Sequence, residues 1–361
     1  MPEMSSRERV LAALDHRETD RIPIAMVCGG INPPAMKALD EFLLRTRGIG
    51  AQDYIDSFLD VTELWVTGDF NQETDMWGVS RKEVSYGAGS YSEISYYPLK
   101  EKRTLQEILQ YPFPRAKDMP VERMVEQIKH LRRTGDEAIV LANANLFETT
   151  WYMRGFEEAF MDMMLKPDIF HAIIDTVTTF FTDYFYAIMK QCRGDIDLVF
   201  TADDIGQQEG LLLSLDMWQE FIKPYHFRIN EMIHDMGARV IYHTDGSISE
   251  AVPGLMDMGI DVLQALQFSA SNMDPQYLKD SFGDTLCFEG GMCVQNVLPF
   301  GTSDEVRQET RRLISILGKN GGYLCGPSHF IQAGTPPENI AAFFDEAQSF
   351  YPFDAGTPSD G

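Results

Sequence analysis

The 361-residue chain is poor in basic residues, in paired cysteines and in long apolar runs. Its 30 lysines and arginines stand against 55 acidic residues, and the net charge of −25 repels nucleic-acid phosphates and anionic lipids. Five cysteines without a C-x-x-C pair predict no disulfide framework and a reducing compartment. Because no apolar leader core and no apolar run of about 18 residues are found, we expect a cytoplasmic protein without nucleic-acid or membrane partners.

Short apolar runs alternate with amphipathic stretches along most of the chain. The strand candidates are residues 22–27, 62–66, 138–142, 198–202, 239–242, 262–265, 285–288 and 322–325. The stretches between them carry helix-start signals, such as the capping box of Thr302 with Glu305. Eight β–α units predict an α/β fold, a (β/α)8 TIM barrel. We expect one domain, residues 1–350, and a C-terminal tail, residues 351–361.

A doubly wound open sheet is the alternative architecture. It normally carries a glycine-rich phosphate turn after an early strand, and Cys28-Gly29-Gly30 is a poor version of that turn. Residues 68–112 break the β–α alternation, and residues 93–97 alternate as a hairpin strand does. We therefore expect an insertion after the second strand.

Polar side chains follow the predicted strands at their C-terminal ends, where barrels of this kind carry their active sites. These side chains are Glu148, Asp203, Asp204, His243, Asp245, Gln264, Gln267, Glu289 and His329. We expect them to surround one mouth of the barrel.

His243 and Asp245 form the clearest pair in this set. In extended chain, residues i and i+2 point the same way, so both side chains can reach one ion. An imidazole and a carboxylate suit zinc, iron or manganese, and His329 would complete a set of three ligands with an open coordination position. The alternative is a buried imidazole bonded to a backbone carbonyl, with Asp245 opening the turn at Gly246.

The carboxylates have several interpretations. Asp203 and Asp204 are adjacent and face opposite sides, so we expect one at the mouth, as a base or substrate ligand, and the other on a loop or helix cap. Glu148 is either a metal ligand or an ion-pair partner of Arg154, with the ion pair favoured. For Glu289, the roles of ligand, base and solvated loop residue are equally open.

The chain resembles the uroporphyrinogen decarboxylase superfamily. The resemblance is carried by residues 6–14 (SRERVLAAL), 20–24 (DRIPI), 218–225 (WQEFIKPY), 243–246 (HTDG) and 329–339 (HFIQAGTPPEN). It covers nearly the whole chain, is weakest over residues 68–112, and implies an eight-stranded α/β barrel.

Two branches of this superfamily imply different reactions. One branch decarboxylates the acetate groups of uroporphyrinogen without a metal, and it has an arginine-rich stretch after strand one that holds the substrate carboxylates. Here residues 27–34 contain no basic residue, which argues against a porphyrinogen substrate. His329 lies where the decarboxylases also have a histidine, so this residue does not discriminate between the branches.

The other branch contains zinc-dependent methyltransferases that exchange methyl groups with a corrinoid protein. Its zinc ligands lie in a His-x-Cys-Gly turn and at a later cysteine, and by position they correspond to His243, Asp245 and His329. An aspartate and a histidine thus replace two cysteines. This harder ligand set leaves the metal more Lewis-acidic and leaves its identity open.

The resemblance implies a methyltransferase that uses zinc or another divalent metal, a corrinoid carried by a partner protein, and a small methyl donor or acceptor. The residues expected to orient the substrate or handle its proton are Asp203, Asp204, Glu148 and Glu289. Those expected to bind substrate are Gln264, Gln267, Phe147 and Met153. A methoxylated aromatic is the favoured donor, given the aromatic and methionine content near the strand ends. The alternatives are a metal-free decarboxylase or lyase and a non-catalytic ligand-binding barrel, and a homodimer stays open.

Overall fold

The computed structural model describes residues 3–66, 73–85 and 90–353. The strands are β1 Val61–Trp65, β2 Ser80–Ser85, β3 Ser90–Tyr96, β4 Ala138–Asn145, β5 Leu198–Ala202, β6 Gly206–Gln207, β7 Gly210–Leu211, β8 Arg239–His243, β9 Val262–Gln264, β10 Cys287–Met292 and β11 Tyr323–Pro327.

Helices follow most of these strands. The α-helices are α1 Ser6–Leu14, α2 Pro33–Arg47, α3 Ala51–Asp56, α4 Leu105–Leu109, α5 Val121–Thr134, α6 Phe147–Arg154, α7 Phe156–Leu165, α8 Pro167–Gln191, α9 Leu215–Phe221, α10 Lys223–Asp235, α11 Val252–Asp257, α12 Pro275–Phe282, α13 Val297–Phe300, α14 Ser303–Leu317 and α15 Pro337–Ser349. Two 3₁₀ turns span Ala116–Asp118 and Ser249–Ala251. Within the described part of the chain, no helix is long and apolar enough to cross a membrane.

Seven parallel strands form one sheet in the order β1-β4-β5-β8-β9-β10-β11. Ile24 forms a parallel bridge with Cys325 of β11, and its carbonyl accepts a hydrogen bond of 2.9 Å from the backbone N–H of Asp60, directly before β1. One segment therefore contacts both edge strands, so the sheet is curled, consistent with a TIM-barrel-like fold. Residues 22–27 were predicted as a full strand, but Pro23 has no N–H to donate and only a short bridge forms.

The strands β2 and β3 follow β1 and precede β4 in the sequence, and they pair antiparallel with each other in a separate sheet. This hairpin lies within the predicted insertion, residues 68–112. Residues 67–72 and 86–89 lie outside the described part, and the insertion as a whole stays a prediction. Residues 354–361 of the predicted C-terminal tail also lie outside it.

Apolar side chains fill the inside of the sheet. Val140, Phe200, Ile241 and Leu324 come from four different strands and belong to one buried cluster. Every residue of β5 is buried, as expected for parallel strands that are covered on both faces. The barrel interior is therefore solid, and polar groups collect at its two ends.

The N-terminal end of the sheet is held by buried ion pairs. Asp60 is fully buried, lies 2.6 Å from Arg9 Nη1 and 2.7 Å from Arg21 Nη1, and accepts a hydrogen bond from the Ile24 N–H. Arg9 and Arg21 belong to the two N-terminal motifs of residues 6–14 and 20–24. These motifs therefore serve the structure of the barrel, at the end opposite the predicted mouth.

Candidate metal centre at the barrel mouth

Three side chains converge at the C-terminal ends of the strands. His243 ends β8, Asp245 follows two residues later, and His329 lies just after β11. One ligand atom of each lies within 4.8 Å of those of the other two. The closest measured approach is 3.9 Å, between His329 Nε2 and Asp245 Oδ2. The structure thus brings together the three residues that were predicted to meet.

Gln264 at the end of β9 orients His243. Its side-chain oxygen is hydrogen-bonded to His243 Nδ1, and its amide nitrogen donates to the Val27 carbonyl over 2.8 Å. Because an amide oxygen only accepts, Nδ1 carries the proton and Nε2 keeps its lone pair. Gln264 was predicted to bind substrate, but both ends of its buried amide are bonded to the protein.

The three side chains fit a divalent metal ion. Two neutral imidazole nitrogens and one carboxylate oxygen are ordinary ligands of zinc, and catalytic zinc has three protein ligands and one open position. Burial lowers the pKa of His329, against the opposing influence of Asp245, so His329 is neutral at pH 7 and able to bind a metal. Burial also raises the pKa of Asp245, while His243 and His329 act against that shift.

Asp203 and Asp204 have different surroundings. Asp203 is fully buried; its carboxylate accepts 2.8 Å hydrogen bonds from the N–H groups of Phe147 and Glu148 and contacts His226. It therefore caps the start of α6 and has no access to the mouth. The carboxylate of Asp204 is 43% exposed and lies 3.6 Å from His243 Nε2.

Glu148 in the first turn of α6 is a buried acid with hydrogen-bonded oxygens. Tyr152 donates to Oε1 over 2.7 Å, and the Asn145 amide donates to Oε2. Burial, followed by the nearby Asp204 and Asp203, raises the pKa of Glu148 to about 8.

The favoured ion pair between Glu148 and Arg154 is wrong. Arg154 Nε contacts Asp162 Oδ2 at 2.6 Å, and its Nη1 donates to the Leu99 carbonyl. The two residues lie six positions apart on α6, which puts them on different faces of the helix.

Glu289 in β10 and Glu63 in β1 are two further acids on the strands that carry the site. Glu289 is fully buried, and burial raises its pKa well above the usual range, against hydrogen bonds from Val27 and Gln264. Glu63 in β1 was missed in the sequence; its oxygens accept from the Cys28 N–H and the Trp65 indole, and burial raises its pKa to about 7. A carboxylate inside the apolar run of β1 was the signal that could have found it.

The other predicted substrate residues divide into two groups. Phe147 and Met153 are 0% exposed and belong to the main hydrophobic core, so neither reaches a cavity. Gln267 accepts a 3.0 Å hydrogen bond from the Gly246 N–H. Together with Asp245 and His329 it lines a cavity of about 240 Å³, which places it at the mouth beside the metal candidates.

The sequence model of one protein family, described as uroporphyrinogen decarboxylase (URO-D), matches residues 80–350, well over half of the chain. The chain belongs to the uroporphyrinogen decarboxylase family. This membership confirms the resemblance seen in the sequence motifs.

Two curated proteins, a methyltransferase and a decarboxylase, are similar to this chain. A methylated-thiol–coenzyme M methyltransferase of Methanosarcina mazei is 27% identical over 197 residues, 55% of this chain and 49% of that protein. A uroporphyrinogen decarboxylase of Chromohalobacter salexigens is 24% identical over 278 residues, 73% of this chain and 74% of that protein. The chain thus spans about half the length of the first of these relatives.

A solved structure described as a methyltransferase from Methanosarcina mazei shares the fold. Its TM-score is 0.72 at 17% identity, and the match covers 97% of this chain and 100% of that one. The family and these relatives support an enzyme. Because both branches are represented, the choice between their reactions depends on the site itself.

Proposed function

We propose that this protein is a metal-dependent methyltransferase that moves a methyl group between a small methylated compound and a corrinoid carried by a partner protein. The observation that carries the proposal is the convergence of His243, Asp245 and His329, with ligand atoms within 4.8 Å of one another at the strand ends. The similarity to a methyltransferase over 55% of the chain supports it.

The three residues and their neighbours would have different roles in the reaction. Zinc or another divalent metal bound there would supply a Lewis acid that polarises the atom bearing the methyl group. Gln264 holds His243 in the tautomer that leaves Nε2 free, and Asp245 supplies the negative charge of the set. Asp204, 3.6 Å from His243 Nε2, would orient the substrate beside the metal ligands.

Glu148 is suited to handle the proton. When a heteroatom loses its methyl group to the corrinoid as a methyl cation, it keeps the bonding electrons and needs a proton. A carboxyl group with a pKa of about 8 is still protonated at pH 7 and can serve as a general acid. We assign Asp203 to capping α6, and Glu289 to supporting Gln264, because both are fully buried.

The charge of the mouth argues against the metal-free decarboxylase. Asp204 and Asp245 lie at the mouth, and among the described residues no lysine or arginine forms an ion pair with either of them. A substrate with several carboxylates would be repelled there. Methyl transfer from a neutral donor meets no such cost.

The proposal is tested with the zinc-loaded protein, free cob(I)alamin and three donors: a methylated thiol, a methylated amine and a methoxylated phenol. We expect at least one donor to convert cob(I)alamin to methylcobalamin, followed by its absorbance. The His329→Ala variant should lose this activity, whereas His130→Ala, a change at an exposed histidine of α5, should retain it. Failure of all three donors, or full activity in His329→Ala, would contradict the proposal.

A further inference from the structure

A second cavity of about 400 Å³ lies on the side of the mouth formed by β1, β4 and α6. Aromatic rings and methionine side chains form much of its wall, contributed in part by Trp65, Trp77, Met124, Tyr152 and Phe181. Cavities of this size with apolar walls and a few polar groups are typical of small-molecule sites. The flat rings favour a planar apolar occupant.

Two polar atoms in this cavity have unused hydrogen-bonding capacity. Asn143 is only 5% exposed, and its side-chain oxygen has no hydrogen-bond partner in the part of the chain that the structure describes. The side-chain oxygen of Asn145 is also buried and without a partner there. Native proteins pair nearly all buried acceptors, because an unpaired one costs free energy. A bound molecule with a hydrogen-bond donor would satisfy either oxygen.

The charges around the cavity favour an uncharged ligand. Arg81 lies in the wall, but its guanidinium contacts Asp75 at 2.6 Å and covers the ring of Tyr152. Arg123 also lines the cavity, but it is exposed. The raised pKa of Glu148 keeps that neighbour neutral at pH 7. Among the described residues of the wall, no buried charge therefore calls for an ionic partner.

Hydrogen bonds and charge interactions connect the cavity to the metal candidates. Asn145 and Tyr152 both line it, and both donate to Glu148. Glu148 is close enough to Asp204 for that carboxylate to raise its pKa, and Asp204 lies 3.6 Å from His243 Nε2. A ligand in the cavity therefore lies next to the proton-handling group of the proposed reaction.

We propose that this cavity binds the non-reacting body of the substrate, and that this body is an uncharged aromatic ring bearing an O–H or N–H donor, which Asn143 and Asn145 recognise. The assignment of the ligand as substrate rests on the proposed function. The recognition of ring and donor rests on the cavity alone.

The test compares phenol with anisole, which has the same ring but no hydrogen-bond donor. Binding of each is measured by ligand-observed NMR titration of the full chain without corrinoid or added metal. We expect phenol to bind about tenfold more tightly than anisole. In Asn143→Leu the preference should be reduced while anisole binding is retained or improved, a gain that a misfolded protein cannot produce. Met124→Trp, which fills the cavity, should abolish binding of both, and Met161→Trp on the exposed face of α7 should not.

Equal binding of phenol and anisole, or an unchanged preference in Asn143→Leu, would overturn the inference. Tighter binding of benzoate than of phenol would also overturn it, since the site would then select an anion. These outcomes are independent of methyl transfer. A protein that binds phenol but methylates no cobalamin would contradict only the proposed function, and one that methylates cobalamin without this preference would contradict only the inference.

Discussion

The two ends of the barrel hold their carboxylates in opposite ways. At the N-terminal end, Asp197 lies 2.8 Å from Arg7 Nε and 2.7 Å from Arg132 Nη2, and it also accepts from the Ile139 N–H. Asp60 has the same environment, with two arginines and one backbone N–H. At the mouth, burial instead raises the pKa values of Glu63, Glu148 and Glu289.

This difference separates structural from functional acids. A buried carboxylate with paired arginines and a backbone donor holds neighbouring strands in register. A buried carboxyl group without a nearby cation has a raised pKa. It can therefore exchange a proton at physiological pH, which is a property of active sites. Changes at the mouth should therefore affect activity first, and changes at the opposite end should affect stability first.

The largest effect on activity is expected from His243→Ala. This change removes one of three metal ligands, and we expect methyl transfer to fall by about a thousandfold or more, because the metal would supply several kcal/mol of stabilisation to the transition state. Initial rates with cob(I)alamin would measure it. The exposed-histidine variant His130→Ala should keep its rate, and comparable rates in the two variants would show that His243 has no catalytic part.

The largest effect on stability is expected from Asp60→Asn at the opposite end. Removing this charge leaves Arg9 and Arg21 without their buried partner, and the free energy of unfolding should fall by about 3–5 kcal/mol. Urea denaturation would measure the loss. The control Asp118→Asn breaks an exposed pair with Arg115 and should cost less than about 1 kcal/mol. Similar losses in both variants would remove the distinction between the ends.

The adjacent Asp203 and Asp204 differ in role, although both follow β5. Asp203→Ala leaves two N–H groups of α6 and the buried His226 without an acceptor, so we expect a loss of about 2–3 kcal/mol in the free energy of unfolding. Asp204→Ala should change stability by less than about 1 kcal/mol, because that side chain is half-exposed, but it should lower the rate of methyl transfer. Denaturation and rate measurements on both variants separate the effect on stability from the effect on activity. If Asp203→Ala lowered mainly the rate and Asp204→Ala mainly the stability, the structural and functional roles of the two aspartates would be reversed.

The last prediction concerns pH and Glu148. Its folded pKa of about 8 exceeds the usual value of 4.5, so its neutral form favours the folded state, and this contribution is lost as the pH rises through about 8. Glu148→Gln should therefore raise the melting temperature relative to the native chain more at about pH 9 than at about pH 5. The exposed variant Glu157→Gln should show no such trend. A difference that does not vary with pH would mean that Glu148 is ionised throughout.

The residues at the strand ends could be predicted from the sequence. The alternation of strands and helices predicts parallel β–α units, and their C-terminal ends place His243, Asp245 and His329 on one side. Side-chain periodicity alone therefore brings these residues together. The exception is the first strand, residues 22–27, where Pro23 limits the pairing.

Features that depend on contacts between distant elements could not be predicted. Phe147 and Met153 were expected to bind substrate, but Asp203 caps the start of α6, and the helix turns both side chains into the core. Gln264 orients His243 only because β8 and β9 are neighbours. The raised pKa of Glu63 likewise depends on its burial in the folded barrel.

The most direct test of the metal centre is the metal content of the protein, measured by elemental mass spectrometry after purification without chelators and again after incubation with zinc and removal of the excess. We expect about one divalent metal ion per chain, and none in His243→Ala treated identically. A native protein that retains no metal after incubation, or a His243→Ala variant that retains as much as the native chain, would contradict a metal site built on His243, Asp245 and His329.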